Sequence, residues 1–239
     1  MKIKELIKTT LAKDMPAGPY PGQFAHSKGA EVALAEEVES VKIGTCTFVS
    51  PDPVFLYLNI SETSLVELKR LFIEINKNAK QLWFKDSKID KKLKALKEDL
   101  VYEYFQYSMQ FVVMLFSAVE AFLNQNIPSN CVDYKTKGKD GKLKDYKDKE
   151  NFERTVSTMQ KMVFLSEIKS LESPKKQLFW PYFKSLNHIR DEIIHLKTKG
   201  KSTSHCYRDI YKDLIDTDFE KMFEFIKSLF VFFEKDFFI

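Results

Sequence analysis

The chain has 239 residues, of which 44% are hydrophobic and 30% charged, a balance typical of a soluble globular protein. The net charge of +4 is only mildly basic and does not by itself indicate a nucleic-acid partner. Three widely spaced cysteines without a CxxC pair fit a reducing, cytosolic compartment best. The N-terminus lacks a signal-peptide core, and the longest uncharged run, Tyr104 to Val119, is shorter than the about 20 residues that a membrane-spanning helix needs. We therefore expect a cytoplasmic protein without a membrane segment.

Residues 1–60 are expected to form a small N-terminal extension. Most of the few prolines and glycines lie here, and they predict an irregular segment over residues 14–30. Residues 31–40 are a candidate short helix. Residues 41–49 and 54–60 are rich in β-branched and aromatic side chains, and the proline-containing turn between them indicates a β-hairpin.

The remainder, residues 61–239, is predicted to be mainly α, as an antiparallel helical bundle. Apolar residues recur there at the spacing of helices that bury one face. The expected helices cover about residues 61–84 (capped by Ser61), 90–127 (stopped by Pro128), 151–171, 174–197 and 216–238. Expected core positions are Phe111, Val112, Leu115, Val119, Phe122 and Leu123, then Val156, Met159, Val163, Phe164 and Ile168, then Phe219, Met222, Phe223, Ile226, Leu229 and Phe233.

Two lysine-rich stretches are candidates for tracking phosphate groups. Residues 128–150 carry seven lysines, and Asp140-Gly141 suggests the turn of a small hairpin. Acidic residues offset much of this charge, so a solvated loop and a phosphate-binding loop are both open. The second basic stretch contains Lys197, Lys199 and Lys201.

One predicted helix, residues 181–197, carries a polar strip opposite its apolar face. The strip consists of Asn187, His188, Arg190, Asp191 and His195. Asp191 and His195 are four residues apart and can touch, and the long side chain of Arg190 can reach the same place. Such a strip is usually only a solvated face, but a face selected for solubility typically carries Lys and Glu. The mixture of amide, guanidinium, carboxylate and imidazole groups therefore indicates a functional site.

A second polar feature is Glu120 with Asn124, one turn apart near the end of the very apolar helix 90–127. Either the helix emerges into solvent at this point, or the carboxylate is paired with a cation from a neighbouring helix. The second reading rests on the high cost of an unpaired buried charge.

Metal binding is the competing chemistry for the histidines. His188 and His195 lie on one side of the predicted helix, and His205 and Cys206 follow it. Spacings of seven and ten residues match no known zinc finger, and Cys206 is more often an ordinary small core residue. We expect no metal, and the absence of a P-loop or dinucleotide glycine motif gives no reason to expect a cofactor.

Arg190, followed directly by Asp191 and after four residues by His195, resembles the RxxxxH signature of the HEPN superfamily. In that family the residue after the arginine is commonly Asn, Asp or His. The stretch from Phe116 to Asn124 resembles the family's earlier core helix, in which an acidic residue, here Glu120, often sits near the arginine. The resemblance covers about residues 62–239 and leaves residues 1–60 unexplained.

The resemblance implies a helical bundle that dimerises so that two such helices face each other, and a composite cleft that cleaves RNA without a metal. Arg190 would bind and stabilise the scissile phosphate. His195 would act as general acid or base, or position the ribose 2′-hydroxyl, and Asp191 would orient one of these two side chains. The products would be a 2′,3′-cyclic phosphate and a 5′-hydroxyl. Guanidinium and imidazole groups suit this chemistry near neutral pH.

The helical projection alone makes Asn187 and His188 accessory candidates, and Glu120 is a further accessory candidate. RNA-binding roles are expected for Lys197, Lys199 and Lys201. Family analogy alone suggests a toxin or anti-phage effector, with an antitoxin or regulatory protein as a further partner. The alternative is a non-catalytic helical module that binds a nucleotide, RNA or a protein, since many bundles of this kind are interaction modules.

Overall fold

A computed structural model describes residues 8–10, 31–33, 35–41, 44–49, 51–86, 89–129, 135–137, 143–195 and 208–238. The chain forms two compact units, Met1–Asn59 and Ile60–Ile239, and the division falls inside a helix. The described residues are mainly helical, with seven α-helices, one short 3-10 helix and four two-stranded antiparallel sheets.

The helices, in chain order, are α1 (Pro53–Asn78), α2 (Glu98–Asn126), α3 (Lys149–Thr155), α4 (Thr158–Ile168), α5 (Trp180–Ile194), α6 (Arg208–Asp216) and α7 (Phe219–Phe233), with a 3-10 turn at Pro174–Lys176 before α5. The strands pair as β1 (Lys8–Thr10) with β2 (Glu31–Ala33), β3 (Ala35–Ser40) with β4 (Gly44–Val49), β5 (Lys80–Asp86) with β6 (Ile89–Ala95), and β7 (Lys135–Lys137) with β8 (Leu143–Asp145).

The predicted elements of the N-terminal extension are wrong in two places. Residues 31–33 and 35–40 are strands and not a helix, since β2 pairs with β1 and β3 pairs with β4. Residues 54–60 belong to α1 and not to a hairpin strand. The physical reason is at the helix start: the carboxylate of Asp52 accepts the N–H of Val54 at 2.8 Å, and Pro53 occupies the first helical position, which lacks a hydrogen-bond partner anyway.

Helical periodicity overextends α1 and α2. The sequence predicts helix over residues 79–84 and from about residue 90, but β5 and β6 form a hairpin with Asp86 opposite Ile89. The aromatic residues Trp83 and Phe84 are types that suit a strand. The small hairpin suggested for residues 128–150 is present as β7 and β8, with Lys137 opposite Leu143, while its predicted turn at Asp140-Gly141 lies outside the described residues.

The predicted helix 151–171 is two helices. Ser157 caps α4 by accepting the N–H of Gln160 at 3.4 Å, and this new start shifts the helical phase. As a result Met159 and Ile168, both expected in the core, are exposed, and Lys161 is buried instead. The predicted helix 216–238 is present as α7 but is shorter at both ends, because Asp218 caps it by accepting the N–H of Lys221 at 3.0 Å and it ends at Phe233. The helix before it, α6, is one that the sequence did not predict.

The core lies around α2, which contacts α4, α5, α6 and α7. Aromatic pairs join these helices: Phe111 meets Phe219 with ring centroids 5.2 Å apart, and Phe122 meets Phe230 at 4.9 Å. The expected core positions on α2 and α7 are confirmed, since all of them are buried: Phe111, Val112, Leu115, Val119, Phe122, Leu123, Phe219, Met222, Phe223, Ile226, Leu229 and Phe233.

The helix α2 is also the one described helix that is long and apolar enough, by length and composition, to cross a membrane. Half of its most apolar segment is buried inside the fold, and core helices of soluble proteins meet the same criterion.

Candidate functional site

The helix α5 presents the polar strip because its other face packs against α2. Phe183, Leu186 and Ile189 are buried on that face. The ring of Phe183 stacks on that of Phe116 from α2, with centroids 6.2 Å apart and planes inclined by 16°. This packing fixes the rotation of α5 about its own axis, and therefore fixes which side chains face outward.

Three predicted site residues form one hydrogen-bonded group on α5. Arg190 Nη1 donates to Asp191 Oδ1 at 2.9 Å, and Asn187 Nδ2 donates to Asp191 Oδ2 at 3.3 Å. The carboxylate of Asp191 thus holds the guanidinium with one oxygen and the amide with the other. The structure brings together Arg190, Asp191 and Asn187, as the helical projection suggests.

The guanidinium of Arg190 also lies on an aromatic ring. Its central carbon is 4.6 Å from the centroid of the Phe116 ring, within the range of a cation–π contact. The Arg190 side chain remains 29% exposed, so a solute can reach it. Phe116 opens the stretch that resembles the HEPN core helix, but the sequence alone did not identify it as a site residue.

His195 is placed differently from the expectation. The sequence predicts helix to residue 197, but α5 ends at Ile194, and His195 leaves the helix with φ −111° and ψ 46°. Its backbone N–H donates to the carbonyl of Asp191 at 2.9 Å, and this backbone bond is the contact between the two residues. Within the described part of the chain, the exposed imidazole has no side-chain partner, so the expected Asp191–His195 side-chain contact is absent.

His188 faces another part of the molecule. Its Nε2 atom lies 3.9 Å from Asp213 Oδ2 of α6, at the edge of a cleft of about 370 Å³. Asp216 and Asp218 also line this cleft, which makes it acidic. An acidic cleft repels phosphate groups, so the position of His188 gives no support to its accessory role beside Arg190.

Glu120 pairs with a cation, but the cation is not Arg190. Lys161 Nζ from α4 lies 3.5 Å from Glu120 Oε1, and the Lys161 side chain is 0% exposed while that of Glu120 is 40% exposed. This is an ion-pair distance, longer than a good N–H···O hydrogen bond. Burial lowers the pKa of Lys161, and the carboxylate of Glu120 partly offsets that effect. Sequence reasoning anticipated a cation from a neighbouring helix and missed which lysine supplies it.

The remaining site predictions fall on residues that the structure does not describe. Lys197, Lys199 and Lys201 lie outside the described residues, as do His205 and Cys206. Within the described ranges, no group of three or more His, Cys, Asp and Glu side chains is arranged to hold a metal ion.

Comparison of the chain with protein-family models, with curated proteins and with solved structures finds no match. The fold of the described residues defines the protein as a mainly helical bundle.

Proposed function

We propose that this chain is a HEPN-like, metal-independent endoribonuclease that acts as a homodimer. The observation that carries the proposal is the hydrogen-bonded group of Arg190, Asp191 and Asn187 on α5, with His195 directly after the helix end. A guanidinium and an imidazole on one short segment can supply the charge stabilisation and the proton transfer that cleavage of RNA by its own 2′-hydroxyl needs.

The proposed reaction needs charge stabilisation and proton transfer only. The 2′-oxygen attacks the adjacent phosphorus, the bond from phosphorus to the 5′-oxygen breaks, and the products are a 2′,3′-cyclic phosphate and a 5′-hydroxyl. Arg190 stabilises the charge that develops on the phosphate: a guanidinium has five N–H donors, and Asp191 engages Nη1. His195 transfers the proton, a task that imidazole performs near neutral pH.

A homodimer supports this chemistry because the reaction needs a proton acceptor at the 2′-oxygen and a proton donor at the 5′-oxygen. One imidazole cannot be in both protonation states at once. A two-fold axis beside α5 would bring two copies of His195 to one cleft, since the same surface of each copy meets in such a dimer. It would also cover Ile194, an apolar side chain that is 51% exposed beside His195.

The biological setting belongs to the same proposal. By analogy with HEPN proteins the chain acts in the cytoplasm on RNA as a toxin or anti-phage effector, held in check by an antitoxin or regulatory protein. The RNA-binding roles of Lys197, Lys199 and Lys201 are part of this proposal.

The test is incubation of the purified protein with total RNA in EDTA, beside Arg190→Ala and His195→Ala. We expect the wild type to leave 2′,3′-cyclic phosphate and 5′-hydroxyl ends, and each variant to lose at least about a hundredfold in rate. Arg154→Ala is the matched control, because it removes an exposed arginine whose partner is Glu150 of α3. Cleavage that survives in both site variants, or that disappears in EDTA, would contradict the proposed mechanism.

A further variant separates the two histidines of this segment. His188 contacts Asp213 in the acidic cleft, whereas His195 follows the Arg190 group. We expect His188→Ala to retain cleavage. A loss equal to that of His195→Ala would place the chemistry on the wrong side of α5.

The non-catalytic module has one observation in its favour: Asp191 binds Arg190 and leaves the imidazole of His195 without a described side-chain partner. An unoriented imidazole suits binding better than proton transfer. Tight binding of RNA that depends on Arg190, together with intact RNA after prolonged incubation, would select this reading.

A further inference from the structure

The ring of Phe116 is the least expected part of the Arg190 site. It comes from α2, whereas every polar member of the group comes from α5. Phe116 is 3% exposed, and its ring contacts two residues of α5, Phe183 and Arg190. Phe116 therefore forms a buried platform whose position is set by the packing of α2 against α5.

A platform is needed because Asp191 alone cannot define where the guanidinium lies. Arg190 and Asp191 are adjacent in sequence, so their side chains leave the helix about 100° apart, and the arginine must bend to reach its partner. The described contact to that partner is a single hydrogen bond at Nη1. A long flexible side chain held at one nitrogen can still swing about that bond.

The ring also holds the cation without neutralising it. A second carboxylate would occupy N–H donors and compete with a phosphate for them. An aromatic face attracts the guanidinium through its quadrupole and uses none of the five donors. The Arg190 Cζ atom lies 4.6 Å from the ring centroid, and the one described side-chain hydrogen bond of the guanidinium is at Nη1, so other donors are left for a phosphate.

We infer that Phe116 is a positioning residue, whose ring holds the Arg190 guanidinium in the orientation that binds the scissile phosphate. This inference rests on the proposed function and deepens it. It also explains why a cation that is 29% exposed can act in a defined place instead of sampling many rotamers. Lysine at position 190 would not reproduce the arrangement, because an ammonium lacks a flat face to stack on the ring.

The sharpest test replaces Phe116 by phenylalanines that carry one, two and three ring fluorines. Each fluorine withdraws charge from the ring face and changes its shape very little. We expect kcat/KM for RNA cleavage to fall stepwise with fluorine number, because a guanidinium that is held less firmly binds the scissile phosphate less well. Phe116→Leu, which removes the face, should lower kcat/KM by between about twofold and thirtyfold.

The matched control is Phe111→Leu on the same helix. Phe111 is also buried, and its ring meets Phe219 and Phe223 and has no described cation partner. The variant Phe111→Leu removes the same side-chain atoms from a buried position without touching Arg190. If kcat/KM is flat across the fluorinated series, and Phe116→Leu behaves like Phe111→Leu, the positioning role is wrong and the nuclease proposal stands.

A readout that does not need cleavage separates the two proposals. A proton above an aromatic face resonates upfield, so we expect the Arg190 Nε–H signal to move downfield in Phe116→Leu and to stay in Phe111→Leu. Binding of a short 2′-O-methyl RNA, which lacks the nucleophile, should weaken with fluorine number. If these two changes appear in a protein that cleaves no RNA, Phe116 still positions Arg190 and the nuclease proposal fails. An unchanged Nε–H signal overturns the inference whatever the activity.

Discussion

Two cations contact α2 at positions one helical turn apart, and their surroundings are opposite. Arg190 from α5 lies over Phe116, is partly exposed and bonds Asp191 at 2.9 Å. Lys161 from α4 is fully buried and lies 3.5 Å from Glu120. The same helix therefore supports one cation that a solute can reach and one that it cannot.

The difference in exposure means that Arg190 can bind a ligand, whereas Lys161 lowers the stability of the fold. A guanidinium that lies over a ring and stays partly exposed keeps much of its hydration. An ammonium taken out of water loses more hydration energy than a long ion pair returns, and removal of its partner leaves an uncompensated charge. Burial lowers the pKa of Lys161 for this reason. Arg190 suits an anionic ligand, whereas Lys161 should mainly affect stability.

The largest expected effect is on stability. Glu120→Gln removes the charge that faces Lys161, and we expect it to lower the free energy of unfolding by about 2 kcal/mol. This loss of stability is smaller than for a fully buried pair, since Glu120 is 40% exposed. Urea denaturation measures the free energy of unfolding. Glu150→Gln is the control, because its ion pair with Arg154 has the same 3.5 Å separation but is well exposed, so it should change stability by less than about 0.5 kcal/mol. Equal effects would mean that Lys161 is not desolvated.

Lys161→Met should act in the opposite direction. Replacing the buried ammonium by an apolar chain of similar length should stabilise the protein by about 1 to 2 kcal/mol at neutral pH. The gain should depend on pH. The pKa of Lys161 is lowered from 10.5, so the unfolded state binds more protons between the lowered value and 10.5, and wild-type stability rises with pH there. The gap between variant and wild type in urea unfolding should narrow up to about pH 10.5. A constant gap would contradict the lowered pKa.

The helical parts of the fold could be predicted where one helix buries one face. The core residues of α2 and α7 repeat at helical spacing, and burial selects the same residues. Two of the errors lie at helix starts. Asp52-Pro53 is a helix-start signal that looks like a hairpin turn, because β-branched and aromatic residues flank it. Ser157 with Gln160 is a capping sequence inside an apparently continuous helix.

The residues of the candidate site also fall into a group that the sequence predicts and a group that it does not. The group of Asn187, Arg190 and Asp191 lies within one helix, so sequence spacing alone brings it together. Phe116 and Lys161 enter from other helices, and no local pattern states which helices pack together. Lys161 was missed for a further reason: with α3 and α4 read as one helix, its phase placed it outside the core.

Asp191→Asn should have a smaller effect that falls on activity. The asparagine keeps an oxygen that can accept a hydrogen bond from Arg190, but the substitution removes the negative charge that attracts the guanidinium. We therefore expect the rate of RNA cleavage to fall by about fivefold or less. Stability should change by less than about 0.5 kcal/mol, because this carboxylate is 45% exposed. Rates and urea midpoints measured on one preparation check both. A stability loss like that of Glu120→Gln would mean that the two cations are not as different as their surroundings indicate.

The smallest effect should come from Ser170→Gly, just beyond α4. Ser170 has φ 52°, a left-handed conformation that disfavours a side chain, and the N–H of Leu171 bonds the carbonyl of Ser166 at 2.8 Å, as in a glycine-ended helix. Glycine should therefore raise the free energy of unfolding by about 0.5 to 1 kcal/mol. Ser228→Gly, the same change inside α7, should lower it by a similar amount.

Because Ser170→Gly stabilises the helix that carries Lys161 without altering the charge of Lys161, the dependence of stability on pH should stay that of the wild type. A changed dependence would mean that the pH effect reports fraying of α4 and not the buried ammonium.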